Sequence, residues 1–284
     1  MPSRSRLASP IRTLTVGSLP GDPPSPRAVP GRGLAVRDER RVRRPPVGTS
    51  TQPRNEGVYA CCEPHDTPML TIILTRHGET DKSHPEQYLG QRIPAALTET
   101  GRAAARALGE RLADVHIGRV ISSPLTRAVE TAALIRPTAE VETDDRLMEA
   151  DYGDWEGHTL EQIEAGWPGE RQHWEADPAS FGTPNGESGE DVARRVRASL
   201  EELVAWAAGA GPGARVLLVG HSTLNRVLLC EALGVPLRDY RRRFKQDWAN
   251  LTVLRFAQGH PPRALLLVAN DVSHLHGISG ATWD

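Results

Sequence analysis

Leu70-Thr71-Ile72-Ile73-Leu74-Thr75-Arg76-His77-Gly78-Glu79-Thr80 decides how this chain is read. The run from Leu70 to Leu74 is apolar or β-branched without alternation and stops at a polar turn. That pattern predicts a buried strand in a parallel sheet. Open α/β sheets take their ligands at the carboxyl ends of such strands, and this strand ends in reactive side chains. Arg76 carries a planar, permanently charged fork suited to phosphate. His77 offers a ring nitrogen that is neutral and nucleophilic near pH 7, and Gly78 lets the backbone approach a ligand closely.

The rest of the composition narrows the field. A chain of 284 residues with a formal charge of −2 holds one or two domains and has no bulk attraction for nucleic acid. Of three cysteines, Cys61 and Cys62 are adjacent and Cys230 stands alone, so neither a disulfide framework nor a zinc spacing is present. The ten histidines contain no His-Glu-x-x-His pattern, which predicts no dedicated metal site. No apolar stretch approaches the roughly 20 residues of a membrane helix. The expectation is a cytoplasmic protein, with no membrane or nucleic-acid partner and with homo-oligomerisation left open.

Residues 1–68 differ in kind from the remainder of the chain. They are rich in Pro, Arg, Ser and Gly, contain no lysine and show no apolar periodicity. This predicts a disordered Arg/Pro-rich tail, or a mis-assigned start with translation beginning at Met69; the cluster Arg37–Arg44 reads as a solvated run. Residues 69–284 read as one domain. Thr98 caps a helix with the stripe Ala104, Leu108, Leu112 and Val115. A strand follows at 119–122, then Ser123-Pro124 as N-cap and first residue of a helix reaching Ile135. A short strand is expected at 140–142, and Thr159-x-x-Gln162 forms a capping box. Residues 167–185 read as an irregular surface excursion. Ser188-x-x-Asp191 opens a long helix with the stripe Val192, Val196, Leu200, Leu203 and Ala207, broken at 209–213. Ala214–Val219 is a second continuous apolar strand, followed by a helix to Leu233, and strands are expected near 250–256 and 264–268. Strands alternating with helices predict an α/β fold with a mixed, mostly parallel sheet covered on both faces.

Three strand ends gather the chemistry: Arg76-His77-Gly78, Ser122-Ser123-Pro124-Leu125-Thr126-Arg127, and Gly220-His221-Ser222. Helical side chains lean toward the N-terminus, so Arg127 points back at the strand ends. If the strands are neighbours, two arginines and two histidines form an anion pocket with a nucleophile inside it. Phosphoryl transfer needs that set, because its catalysis is mostly positioning and charge stabilisation. A leaving alkoxide also needs a proton from a carboxylic acid. Glu149 is the candidate, with Asp151, Asp154 and Glu156 competing on composition. Arg241-Arg242-Arg243 with Lys245 reads either as a solvated helix face or as an attractor for an anionic substrate tail.

Thr75-Arg76-His77-Gly78-Glu79-Thr80, Ser122-Ser123-Pro124-Leu125-x-Arg127-Ala128-x-Glu130-Thr131, Glu149 with Tyr152-Gly153-x-Trp155-Glu156-Gly157, and Gly220-His221-Ser222 occur in one order. Together they resemble the histidine phosphatase superfamily, the phosphoglycerate-mutase-like proteins, over residues 70 to 276. The resemblance implies a three-layer α/β/α sandwich. It implies His77 as the phosphorylated nucleophile, Glu149 as proton donor, and Arg76, Arg127 and His221 as phosphate ligands, with no metal or organic cofactor. The family usually has Asn six residues after the nucleophile; here Ser83 stands there and is expected to take its place at the phosphate with a shorter arm. The function implied is a metal-independent phosphomonoesterase acting on a small phosphorylated metabolite. The alternatives are a phosphoglycerate mutase and a non-catalytic phospho-ligand binding protein. Mutases of this resemblance carry Glu-Arg-His-Tyr-Gly where this chain has Glu149-Ala150-Asp151-Tyr152-Gly153, and a longer basic insertion not found here.

Overall fold

The computed structural model describes residues 12–14, 68–257 and 264–278. In chain order it forms β1 (Arg12–Leu14), β2 (Pro68–Arg76), α1 (Glu99–Arg111), β3 (Arg119–Ser122), α2 (Thr126–Ile135), β4 (Val141–Thr143), α3 (Leu160–Gly166) and α4 (Pro168–Ala176). Then come α5 (Gly189–Ala210), β5 (Ala214–Gly220), α6 (Ser222–Leu233), α7 (Tyr240–Arg243), β6 (Leu251–Ala257) and β7 (Ala264–Asp271). One seven-stranded sheet has the order β1-β4-β3-β5-β2-β6-β7. Strands β4, β3, β5 and β2 run parallel, whereas β1, β6 and β7 pair antiparallel at the two sides. The continuous apolar run of β2 therefore has one parallel and one antiparallel neighbour.

Alternation along the central strands builds the layers. Leu70, Ile72 and Leu74 of β2, with Val216 and Leu218 of β5, join Val192, Val196, Leu200 and Leu203 of α5 and Leu224, Val227 and Leu228 of α6. Ile73, Leu217 and Val219 point the other way, onto Leu108 of α1 and Ala128, Ala132 and Ile135 of α2. Both faces are covered, so the expected three-layer α/β/α sandwich is present. Among the described residues no helix is long and apolar enough to cross a membrane.

Local signals explain the ends of the elements. Thr98 caps α1 by accepting from the Gly101 amide. Reciprocal capping boxes open α3 at Thr159 and Gln162 and α5 at Ser188 and Asp191. Helix α5 stops at Gly211, whose φ of 87° lies in the left-handed region that glycine tolerates.

Several expectations need correction. Helix α2 starts at Thr126 with Leu125 at the N-cap, not at Pro124. The Ser123 amide still donates to Val219 O (3.0 Å), so the chain leaves the sheet two residues later than the Ser-Pro signal implies. Within the expected excursion 167–185, residues 168–176 form α4, with Pro168 at the helix start and Trp174 in the core. Arg12–Leu14, inside the segment read as a disordered tail, pairs with Val141–Thr143 along the outer edge of β4. The remaining expectations for residues 1–67 lie outside the described residues.

Candidate active site

The strand ends meet because of their pairing. Arg76 of β2 is opposite Gly220 of β5, and Ser122 of β3 is opposite Val219. The His77 amide donates to Gly220 O (3.0 Å), which carries the ladder one residue past the strand. The turns after β2 and β5 consequently set His77 and His221 side by side, ring centroids 5.1 Å apart and 58° between planes. Gly78 does make a close approach, but to helix α1: a Cβ there would lie 2.6 Å from Gly101 O. Its amide donates to Thr131 Oγ1 (3.0 Å), which donates to Arg127 O (2.7 Å), and this relay ties the turn carrying His77 to α2.

Both histidines are buried. His77 Nδ1 lies 2.7 Å from Gly78 O, and since a carbonyl can only accept, the proton sits on Nδ1 and Nε2 keeps its lone pair. Burial, then the charges of Arg127 and Arg76, hold His77 well below its usual 6.5. His221 is lowered by burial and then by Arg127, His77 and Arg76. Neither of its ring nitrogens has a hydrogen-bond partner among the described residues.

The arginines are clamped by backbone. Arg76 Nη1 donates to Gln246 O (3.0 Å), its guanidinium stacks over Trp248 at 5.1 Å, and Nη2 meets Glu86 at 3.4 Å. Arg127, buried in the first turn of α2, donates through Nη2 to Gly90 O (2.8 Å) and Leu89 O (3.3 Å). The Nε of each is buried without a partner among the described residues. A set of orphaned donors around a lone-pair nitrogen is arranged to receive an anion.

Among the four carboxylates, the structure brings Glu149 to the pocket. Its Oε1 accepts from the Ala150 and Leu224 amides (2.9 and 3.0 Å) and its Oε2 from Thr223 (3.1 Å). It thereby caps the N-terminus of α6, where His221 supplies no side-chain cap. Asp151 is engaged by Arg92 and the Gly153 amide, Asp154 by Asn185, and Glu156 by the Gln91 and Arg92 amides. Ser83 lines the same cleft, and its hydroxyl bonds Thr80, accepting from the amide at 3.1 Å with Thr80 Oγ1 at 3.2 Å. Among the described residues no cluster of three or more His, Cys, Asp or Glu side chains has the arrangement of a metal site.

Gln91, Glu187 and Arg195 follow the family's pattern in sequence, but sequence reasoning did not place them against Glu149. Arg195 of α5 donates to Glu149 O (3.0 Å) and Met148 O (2.6 Å) and pairs with Glu187 (3.0 Å), while Gln91 Nε2 donates to Glu149 O (2.8 Å). Arg195 and Gln91 lie far from Glu149 in sequence, and nothing local marks the pairing. Of the outer wall, the sequence offered the Arg241–Arg243 run as an attractor for an anionic tail, but not Arg171 or Arg226. The cleft, about 640 Å³, extends from His77 and Glu149 past Tyr152 to Arg171, Arg226 and Arg241. Of the basic run, Arg241 packs over Trp174 and lines the cleft, whereas Arg242 and Arg243 are exposed.

The family model for the histidine phosphatase superfamily (branch 1) matches residues 72–270. A glucosyl-3-phosphoglycerate phosphatase of Mycobacterium tuberculosis is 37% identical over 175 residues, covering 60% of this chain and 78% of that protein. Phosphoserine phosphatase 1 of Hydrogenobacter thermophilus is 30% identical over 211 residues, covering 73% of this chain and 95% of that one. The solved structure of Bacillus stearothermophilus YhfR superposes with a TM-score of 0.66 at 29% identity, over 72% of this chain and 99% of its own.

Proposed function

The chain belongs to the histidine phosphatase superfamily, and from that premise we propose that it hydrolyses the monoester of a small phosphorylated metabolite through a phosphohistidine on His77. The observation that carries this reading is the bond from His77 Nδ1 to Gly78 O, which leaves Nε2 unprotonated beside the orphaned donors of Arg76, Arg127 and His221. Relatives named as phosphatases of glucosyl-3-phosphoglycerate and phosphoserine support a small phosphorylated substrate.

In the first step His77 Nε2 attacks phosphorus in line with the ester oxygen. The N–P bond forms, the P–O bond to the alcohol breaks, and Glu149 gives its proton to the departing alkoxide. Arg76 and Arg127 hold the equatorial oxygens with His221, and their charge is worth most in this water-poor site. In the second step Glu149 takes a proton from water, the hydroxide oxygen bonds phosphorus, and the N–P bond breaks to release phosphate. Ser83 has one hydroxyl for the phosphate once it turns from Thr80.

The test is hydrolysis of an aryl phosphate by the wild type and His77→Ala in excess chelator, with acid-labile phosphate sought on the protein after rapid quench. Chelator-resistant release that disappears in the variant, with a labile phosphoprotein in the wild type, is expected. Release that survives His77→Ala would sink the mechanism. Transfer of phosphate between the hydroxyls of phosphoglycerate, without release, would favour the mutase.

A further inference from the structure

The turn between α7 and β6 is tied to the strand end that carries Arg76 and His77. Arg76 donates from Nη1 to Gln246 O (3.0 Å) and from its amide to Asn250 Oδ1 (3.1 Å), and its guanidinium lies over Trp248. The Ala249 amide donates to Arg76 O (3.0 Å), with His77 O at 3.4 Å. Gln246, Ala249 and Asn250 are buried, and Ala249 has a φ of 50°, in the left-handed region that alanine disfavours. A strained buried residue persists only where its surroundings over-determine it.

Asn270, near the end of β7, braces this turn from the side away from Arg76. Its Oδ1 accepts from the Asp247 amide (2.8 Å) and from Asn250 Nδ2 (2.9 Å), and its Nδ2 donates to Asp247 Oδ2 (2.6 Å). A backbone N–H can only donate and a carboxylate can only accept, so this side chain has one orientation. Its own amide donates to Thr252 Oγ1 (3.0 Å), which also receives Asn250 Nδ2 (3.2 Å). At a φ of 46° Asn270 is itself left-handed, a conformation that Asn tolerates better than most residues. One side chain thereby holds Asp247, the neighbour of Gln246, and Asn250, whose oxygen receives the Arg76 amide. His274 Nε2 adds a bond to Ala249 O (2.9 Å).

We propose that Asn270 is a positioning residue for Arg76: it fixes the 246–250 turn, and through Gln246 O and Asn250 Oδ1 it sets the place of the guanidinium that grips the substrate phosphate. This rests on the phosphatase reading above. Asn270 does not itself line the cleft, so it acts on the phosphate through the turn and Arg76. A fork that must meet two phosphate oxygens is sensitive to small displacements, and a misplacement of about 1 Å is enough to cost roughly 100-fold in rate.

The test reads kcat, KM and competitive inhibition by inorganic phosphate, with an aryl phosphate as substrate. Asn270→Gly keeps the left-handed turn and removes the side chain. It should weaken phosphate inhibition about tenfold, the scale of one charge-assisted hydrogen bond, and lower kcat/KM roughly 10- to 100-fold. A smaller folded fraction lowers kcat alone, so an unchanged phosphate inhibition constant overturns the proposal. In an Arg76→Ala background the same substitution should shift that constant by less than about twofold, the limit of non-interacting sites. An undiminished shift there would make Asn270 a general packing residue and overturn its role toward Arg76. Asn270→Asp sets a second carboxylate against Asp247, where the amide now donates at 2.6 Å, and should lose at least as much as Asn270→Gly. Adding Asp247→Asn returns a donor to face an acceptor and should recover most of the loss; no recovery in a folded double variant overturns the brace. Wild-type activity indifferent to His77→Ala removes the phosphatase reading itself, whereas His77-dependent activity that ignores Asn270→Gly removes only the positioning role.

Discussion

Replacing Arg127 by Met removes a buried charge while keeping an apolar stem of similar length. The carbonyls of Gly90 and Leu89 lose their donor, at 2.8 and 3.3 Å, which costs about 1 kcal/mol of stability per bond. The transition state loses a preorganised donor, worth roughly 100- to 1,000-fold in rate by analogy with oxyanion-hole deletions. The diagnostic consequence is in the pH profile. On the proposed mechanism neutral His77 is the attacking form, so kcat/KM should fall on the acid side as His77 takes a proton. Burial lowers its pKa first, and Arg127 is the largest charge acting the same way. Without that charge the pKa rises, and the acid limb moves toward higher pH; Arg127→Lys, which keeps the charge, should lose rate but hold the limb in place. The assay is kcat/KM for an aryl phosphate from about pH 5 to 8, where histidine titrates. Substrate ionisation is common to all three proteins and cancels in the comparison. An acid limb that stays fixed or moves downward in a folded Arg127→Met protein would refute the assignment of His77 as the neutral nucleophile under the field of Arg127.

Glu149→Gln should slow hydrolysis of an alkyl phosphate by about 100- to 10,000-fold, and that of an aryl phosphate, whose leaving group needs little protonation, far less; equal losses on both would remove Glu149 from the proton-donor role. Gly101→Ala places a Cβ 2.2 Å from Glu79 O and 2.7 Å from Glu79 N, both backbone, so thermal unfolding should show a loss of about 1–3 kcal/mol; an unchanged melting temperature would mean that α1 does not press on the nucleophile turn. Because His77 and His221 are both held below 6.5 in the folded chain, the unfolded chain binds more protons as pH falls. Stability is therefore full above about pH 6.5 and declines below it, by up to about 1.4 kcal/mol per pH unit for each residue. Urea unfolding of His221→Gln should give a shallower decline, and a slope equal to that of the wild type would contradict the burial of a neutral His221.

What the sequence disclosed was local, and what it withheld was mostly distant or ambiguous. The stripe of α5 is legible because Val192, Val196, Leu200 and Leu203 repeat at helical spacing, and all four are in the core. The two capping boxes are legible because each is closed within four residues. Helix α4 was hidden by Pro168, which both ends one helix and suits the first turn of the next, and by a short segment whose buried members, Arg171 and Trp174, show no clear period. The start of α2 was misread because Ser123 bonds a neighbouring strand that its own sequence cannot announce. At the site, His77, Arg76, Arg127 and His221 announced themselves at strand ends. Its loop and the resemblance single out Glu149, but the amides of Thr223 and Leu224 that bind it lie more than seventy positions along the chain, where the sequence could not show them. That Arg195 grips Glu149, and that Arg171 and Arg226 join Arg241 on one wall, were closed to sequence reasoning for the same reason, since each comes from a different helix.

The pairing of Arg76 with Gly220 and of Ser122 with Val219 has a consequence for where this chain can change length. A strand advances about 3.3 Å per residue and alternates its faces. Deleting one residue inside Val216–Val219 would retract His221 by that distance and turn it toward the opposite layer, out of reach of His77. The same deletion at 209–213 meets open space, because a Cβ on Gly209, Gly211 or Gly213 finds nothing within 4 Å. Insertions and deletions among its descendants should therefore collect at the entrance to β5 and be purged from its interior, so that the strands keep count for the chemistry while the loops absorb the drift.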